Sequence, residues 1–359
     1  MKENDKLSVG LIGCGRIGSR TDEALRNRLP EGWLPLNHAE AIQSMPELSL
    51  TAVCDIEPQA LSWAAEKYGV SNTYEDYRSL ILKAKPDIVS IATRTSERCD
   101  IIKFAAGNGV TAIHAEKPIS RNIRDCRESL DIVSNKGLFF SYGTYRRYNE
   151  TYRKAKEILK SGEIGELNEI CFEHGKAMLL WSHPHTVDLM LYYAECHDVD
   201  FVQSHCIVKD KNFSLNGIDD DPVVEYGFVK FNNGVNGVIT SSSGMNTKLA
   251  GTSGTIEIVG SGSWIEVRKK RFKNSPYFLD IEKIEVKPKM SGTQRAFSEL
   301  ISAVRGDINK LSITTEDVCA GQRILLSIAQ SSILGGQKVD PLQLDESFTV
   351  TGKFGDYYA

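Results

Sequence analysis

No apolar run in the 359-residue chain approaches the roughly 18 residues that a membrane-spanning helix needs. Cysteine is sparse: Cys14, Cys54, Cys99, Cys126, Cys171, Cys196, Cys206 and Cys319 contain no C-x-x-C pair. A chain of this length can bury a core without disulfide staples, so reduced thiols are expected. An excess of one charge is missing too. Lys plus Arg is 43 against Asp plus Glu at 47, a net charge of −4. That excludes a strongly basic polyanion binder, so neither nucleic acid nor membrane is an expected partner. Internal repeats and low-complexity linkers are lacking. The polar opening, Met1–Lys6, has no apolar run behind it, so no signal peptide is expected and the location reads as cytoplasmic. What remains is ordinary globular composition, 41% apolar and 25% charged, which excludes dominant disorder. At about 150 residues per domain the length implies two domains.

The first half alternates strand and helix. Strand-like runs at Leu7–Ile12, Ser49–Cys54, Asp87–Ala92, Thr111–Ala115 and Leu138–Tyr142 are separated by helical patterns. That order predicts an α/β fold, a doubly wound parallel sheet joined by right-handed crossovers. The second half predicts an α+β domain on a largely antiparallel open sheet. Its strands run from Leu167 to Val286, and helices near Gln294–Val304 and Thr315–Leu334 close it. The expected division is 1–144, 145–340 and a weakly periodic tail, 341–359.

Gly13-x-Gly15-x-x-Gly18 follows the first strand. Gly13 allows the tight turn, Gly15 lets backbone approach a pyrophosphate, and Gly18 lets a helix pack closely on the strand. Arg16 and Ile17 lie within this loop. Asp55 ends the second strand, where a carboxylate binds ribose hydroxyls and repels a 2′-phosphate, favouring NAD over NADP. It lies 37 residues beyond Gly18, against about 20 expected. The surplus falls at 19–37 and reads either as a surface excursion or as a flap over the site.

Lys117, in Ile113-His-Ala-Glu-Lys-Pro118, stands just past a parallel strand, where open α/β sheets bind ligands. Beside an oxidised nicotinamide its pKa should fall, leaving it able to exchange a proton with a hydroxyl. With Val53-Cys-Asp55, Ile91-Ala-Thr93, Gly143-Thr-Tyr-Arg-Arg-Tyr148, Ser161-Gly-Glu-Ile-Gly165 and Gly251-Thr-Ser-Gly-Thr255, the chain resembles the Gfo/Idh/MocA oxidoreductases from about Leu7 to Asp340. His38-Ala-Glu-Ala41 is similar to the family's first-helix segment, which puts the insertion at roughly 17 residues.

The resemblance implies an N-terminal Rossmann domain. It also implies a C-terminal sheet that forms the contact of a homodimer or homotetramer. The implied reaction is hydride transfer between nicotinamide and a hydroxyl carbon of a sugar, cyclitol or nucleotide sugar. Lys117 takes the catalytic lysine position. Thr93, Arg94 and Glu116 fall at the cofactor, with Arg94 replacing the family's proline. Arg146 and Arg147 match a pair near the substrate cleft.

Leu180-Trp-Ser-His-Pro-His-Thr-Val-Asp188 aligns with the family's D-x-x-x-H-x-x-D helix start. His185 takes the place of the catalytic histidine, with His183 as the alternative. Asp188 would orient it or bind a hydroxyl. Trp181 stands where the family has an aspartate, and its indole could stack on a sugar ring. His183 and His185 flank Pro184, which disfavours zinc, and no metal is expected. Two other classes remain open: a non-catalytic NAD and sugar regulator, and an NAD-dependent hydride-assisted glycosidase.

Overall fold

The computed structural model describes residues 6–208, 213–272 and 274–352. Residues 353–359 of the expected tail lie outside the described residues. The first sheet contains β1 (Leu7–Ile12), β2 (Leu48–Cys54), β3 (Thr73–Tyr74), β4 (Ile88–Ile91), β5 (Ala112–Ala115) and β6 (Phe139–Tyr142). The strands are all parallel, in the order β3-β2-β1-β4-β5-β6. This is the doubly wound dinucleotide-binding topology, with its switch point between β1 and β4. Every residue of β4 and β5 is buried, as expected of parallel strands covered on both faces. The connecting helices are α1 (Glu23–Arg26), α2 (His38–Gln43), α3 (Pro58–Tyr68), α4 (Tyr77–Ala84), α5 (Thr95–Gly107) and α6 (Ile123–Asn135).

The second half starts with α7 (Tyr145–Tyr148), α8 (Glu150–Lys160), β7 (Leu167–Glu173), β8 (Ala177–Met178), α9 (Leu179–Ala194) and β9 (Val199–Ile207). It continues through β10 (Phe213–Ser214), β11 (Gly217–Ile218), β12 (Val223–Phe231), β13 (Asn236–Ile239), β14 (Asn246–Gly251), β15 (Gly254–Val259), β16 (Trp264–Lys270) and β17 (Phe278–Ile284). Then come α10 (Gly292–Val304), α11 (Thr315–Ile333) and β18 (Thr349–Val350). Nine of these strands form one sheet, in the order β17-β16-β15-β14-β7-β13-β12-β8, with β9 paired to β12. It is antiparallel apart from the β13–β7 pair. The expected fold class holds in both halves.

Two details differ from the expectation. Helix α10 covers the first sheet rather than the second. Its Phe297, Leu300 and Ile301 share a buried cluster with Val9, Ile42, Ile88 and Ala112. The apolar stripe of a helix reads the same whichever sheet it covers. The tail up to Val350 is also packed: Leu344, Phe348 and Val350 are buried, and β18 pairs in parallel with β11.

The surplus segment is spliced into the first helix. One turn follows the glycine loop, closed by Ser19 N–H to Gly15 O at 2.8 Å and Arg20 N–H to Arg16 O at 3.1 Å. The helix then resumes at α2. His38 N–H donates to Ile17 O at 3.0 Å, and Ala39 N–H to Gly18 O at 2.9 Å. Both bonds span 21 residues where a helix spans four, so 17 residues are looped out. Asn37 closes the base, accepting from Glu40 N–H and donating to Thr21 Oγ1. The excursion crosses to the second half of the chain. Ser291 and Thr293 hydroxyls donate to Pro35 O and Leu36 O, and the Trp33 indole N–H donates to Ser261 O at 3.2 Å.

Candidate functional site

The cofactor cradle follows from sterics. At Gly13 φ is +96°, and a Cβ there would lie 2.6 Å from the Ala92 carbonyl carbon, so the loop packs against the Ala92–Thr93 backbone. A Cβ at Gly18 would sit 1.9 Å from Gly13 O, whereas one at Gly15 would meet nothing within 4 Å. Gly15 therefore faces open space of the kind a pyrophosphate requires. Asp55 is fixed at the end of β2 by two backbone amides, Cys14 N–H at 2.6 Å and Glu57 N–H at 2.9 Å. These residues fit a dinucleotide with free ribose hydroxyls. A sharp contrast should follow. Gly18→Ala lowers the thermal midpoint, while Gly15→Ala keeps it and weakens NAD binding at least about tenfold, as calorimetry would measure.

Lys117 lies just beyond β5, with its ammonium 2.5 Å from the Trp181 carbonyl oxygen and 4.4 Å from the Trp181 ring centre. Enclosure by protein lowers its pKa to about 8. Glu116 opposes this fall and Arg98 and Arg146 reinforce it. Trp181 also carries the Arg16 guanidinium at 5.1 Å from its ring centre. The indole thus adjoins both a glycine-loop cation and the lysine. Asp221 holds this segment. Its carboxylate accepts from Leu180 N–H at 2.7 Å and Trp181 N–H at 3.1 Å, capping the start of α9. A residue 40 positions away leaves no local sequence signal for that role.

His185 lies in α9, buried, with Nδ1 lacking a partner among the described residues. Its ring centre is 4.3 Å from that of Tyr145. Burial, followed by Arg146, Lys117 and His174, holds its pKa well below the usual value. Its imidazole is therefore neutral. His183 Nδ1 meets Thr186 Oγ1 at 3.2 Å, and the same hydroxyl meets His174 Nδ1 at 3.3 Å. Burial keeps His183 and His174 neutral as well, at about 4 and about 2. Trp33 belongs to the surplus segment 19–37, whose flap reading the sequence left open, and Tyr145 lies within Gly143-Thr-Tyr-Arg-Arg-Tyr148; His174 carries no sequence signal. Among the described residues no group of His, Cys, Asp and Glu could hold a metal ion.

Several expected site residues have protein partners of their own. Glu116 is buried and turned inward, bonded to His38 Nε2 at 3.3 Å and to the Lys117 N–H at 3.0 Å. Burial alone would raise its pKa; His38, Lys117 and Arg98 together pull it down to about 2. Arg147 and Asp188 form a buried ion pair, 2.9 Å apart. Thr93 accepts through its carbonyl from Arg98, and Arg94 is the N-cap residue of α5, its side chain making no capping hydrogen bond.

The sequence profile of an oxidoreductase family with an NAD-binding Rossmann fold matches residues 7–144. The chain is 28% identical over 160 residues to the oxidoreductase YrbE of Bacillus subtilis. It is 26% identical over 160 residues to myo-inositol 2-dehydrogenase of Thermotoga maritima. Each alignment covers 45% of this chain and 42% of the relative, so the chain spans less than half the length of these curated relatives. Among solved structures, levoglucosan dehydrogenase with NADH and L-sorbose superposes with a TM-score of 0.75. That match covers 95% of this chain and 100% of the other at 18% identity, a likeness of fold.

Proposed function

Because residues 7–144 belong to the Gfo/Idh/MocA oxidoreductase family, we propose that the chain is an NAD-dependent dehydrogenase acting on a hydroxyl carbon of a sugar, cyclitol or nucleotide sugar. The observation that carries this reading is Lys117, an amine with a pKa near 8, at the strand end beside a neutral His185. When bound, NAD supplies the hydride acceptor at nicotinamide C4. Lys117 in its amine form takes the hydroxyl proton as the C–H hydride leaves, so the alcohol becomes a ketone. His185 and His183 offer neutral ring nitrogens for hydrogen bonds to the reacting and neighbouring hydroxyls. Trp181 presents a flat apolar face to the ring, and Gly13, Gly15, Arg16, Ile17, Gly18, Asp55, Thr93 and Arg94 surround the dinucleotide. Inositol and glucoside dehydrogenases among the relatives support this substrate class.

The reading is tested by NADH formation over inositols, aldoses, uronic acids and nucleotide sugars. Tight NAD binding with no turnover on any of them would sink it. A pH dependence is expected as well. The base form of Lys117 accumulates above its pKa, so kcat/KM for oxidation should rise through about pH 8 and then level off. A homodimer or homotetramer through the C-terminal sheet, which exposes Ile207, Tyr226 and Ile281, is the proposed assembly. Light scattering checks it, and no helix among the described residues is long and apolar enough to cross a membrane.

A further inference from the structure

Arg146 and Arg147 are neighbours in sequence and both are buried, at 5% and 2% exposure, but their surroundings differ. All five N–H groups of Arg147 are engaged. Its Nε and one terminal nitrogen fork onto the Asp188 carboxylate, and that nitrogen also reaches Asp188 O. The other terminal nitrogen reaches Asp317 and Ser312 O. Arg146 has one hydrogen bond, to Ser261 Oγ at 3.3 Å, and its buried Nε has no partner among the described residues. Its guanidinium lies over Trp33 at 5.4 Å and Tyr145 at 5.6 Å from the ring centres. The two aromatic rings adjoin it and offset part of its desolvation, but they supply no counter-charge.

The nearby carboxylates are committed elsewhere. Glu116 is bonded to His38, Asp188 to Arg147, and Asp221 to the start of α9. Arg146 acts electrically on the reaction centre, since it depresses the basicity of His174, His183, His185 and Lys117. A buried cation with unengaged donors beside the catalytic groups is a binding site for an anion.

We infer that the substrate bears an oxyanion group, a carboxylate or a phosphate on the sugar ring, which pairs with Arg146 between Trp33 and Tyr145. This rests on the dehydrogenase reading and deepens it. Trp33 comes from the 17-residue excursion, which therefore helps to set specificity by holding the guanidinium in place. The arriving anion also offsets the push of Arg146 on His185 and Lys117. Binding of the correct substrate thus restores basicity to the groups that handle the proton.

Matched sets separate the sources: an aldose, its uronate and its 6-phosphate, in the gluco, galacto and manno series, each with NAD. The uronate or the 6-phosphate of at least one series should exceed its neutral aldose about 10- to 100-fold in kcat/KM, the range of a charge-assisted hydrogen bond. The better of the two identifies the source. In Arg146→Gln that ratio should fall towards one, with Arg146→Lys between. Neutral aldoses turned over as well as both anions by the wild type would overturn the inference and leave the dehydrogenase reading standing. If nothing is turned over, calorimetry of the NADH-loaded wild type with the same uronates and phosphates decides. Binding that Arg146→Gln abolishes keeps the anion site and sinks the dehydrogenase reading; no binding overturns the inference.

Discussion

Lys117→Ala is expected to lower kcat about 10³-fold, within the range for loss of a positioned general base, while NAD affinity changes by less than about threefold. The two effects separate because different elements hold the two tasks. The cradle is made by glycine backbone and by Asp55, which is fixed through Cys14 and Glu57 amides, and none of these touches Lys117. The proton acceptor must lose its own proton near neutrality, and enclosure has brought the Lys117 amine to about 8. Lys117→Arg should not rescue turnover, because a guanidinium keeps its proton. His185 does not substitute, since its imidazole is held far below the usual basicity. Stopped-flow NADH formation and calorimetry on the same preparations check both halves. An alanine variant within tenfold of wild type would remove Lys117 from the mechanism.

The fold was legible because its signals are local. Alternating apolar runs marked the parallel strands, and the glycine spacing marked the turn after β1. Non-local pairing was not legible. Nothing in Tyr145-Arg-Arg-Tyr148 distinguishes an arginine held by two carboxylates from one without a carboxylate partner among the described residues, because Asp188 and Asp317 lie 41 and 170 residues away. Glu116 sits beside Lys117 in sequence, yet its direction is set by His38, brought in only after the looped-out segment rejoins the helix. The α10 stripe likewise carried no mark of which sheet it would cover. Periodicity reports that a face is buried and leaves the partner to the whole chain.

The Arg147 cluster should matter for stability on a scale comparable to the effect of Lys117 on rate. Arg147→Met leaves Asp188 buried without its cation and strips Asp317 of one, with an expected loss of about 3–5 kcal/mol and a fall in thermal midpoint of roughly 10 °C. The cluster ties α7, α9 and α11 together, so the effect should be global rather than local. Its pH dependence follows from the outer members. Burial works against the Asp317 carboxylate, but His197 at 2.8 Å and Arg147 draw it down to about 2. A depressed carboxylate stabilises the fold above its unfolded pKa, near 3.8, and that contribution is lost as pH falls towards 2. His197 is raised above its usual 6.5, chiefly by its hydrogen bond to Asp317. Its contribution is present below 6.5 and is lost as pH rises through the raised value. Asp188, pushed up to about 6 by burial, remains in both proteins when wild type is compared with Asp317→Asn. The stability gap between those two proteins should therefore be widest between about pH 4 and 6.5. It should shrink steeply on the acid side and only in part on the alkaline side, where Arg147 keeps its charge. Denaturant titrations at stepped pH measure this gap, and a gap that stays constant from pH 3 to 8 would show that the cluster acts through packing alone.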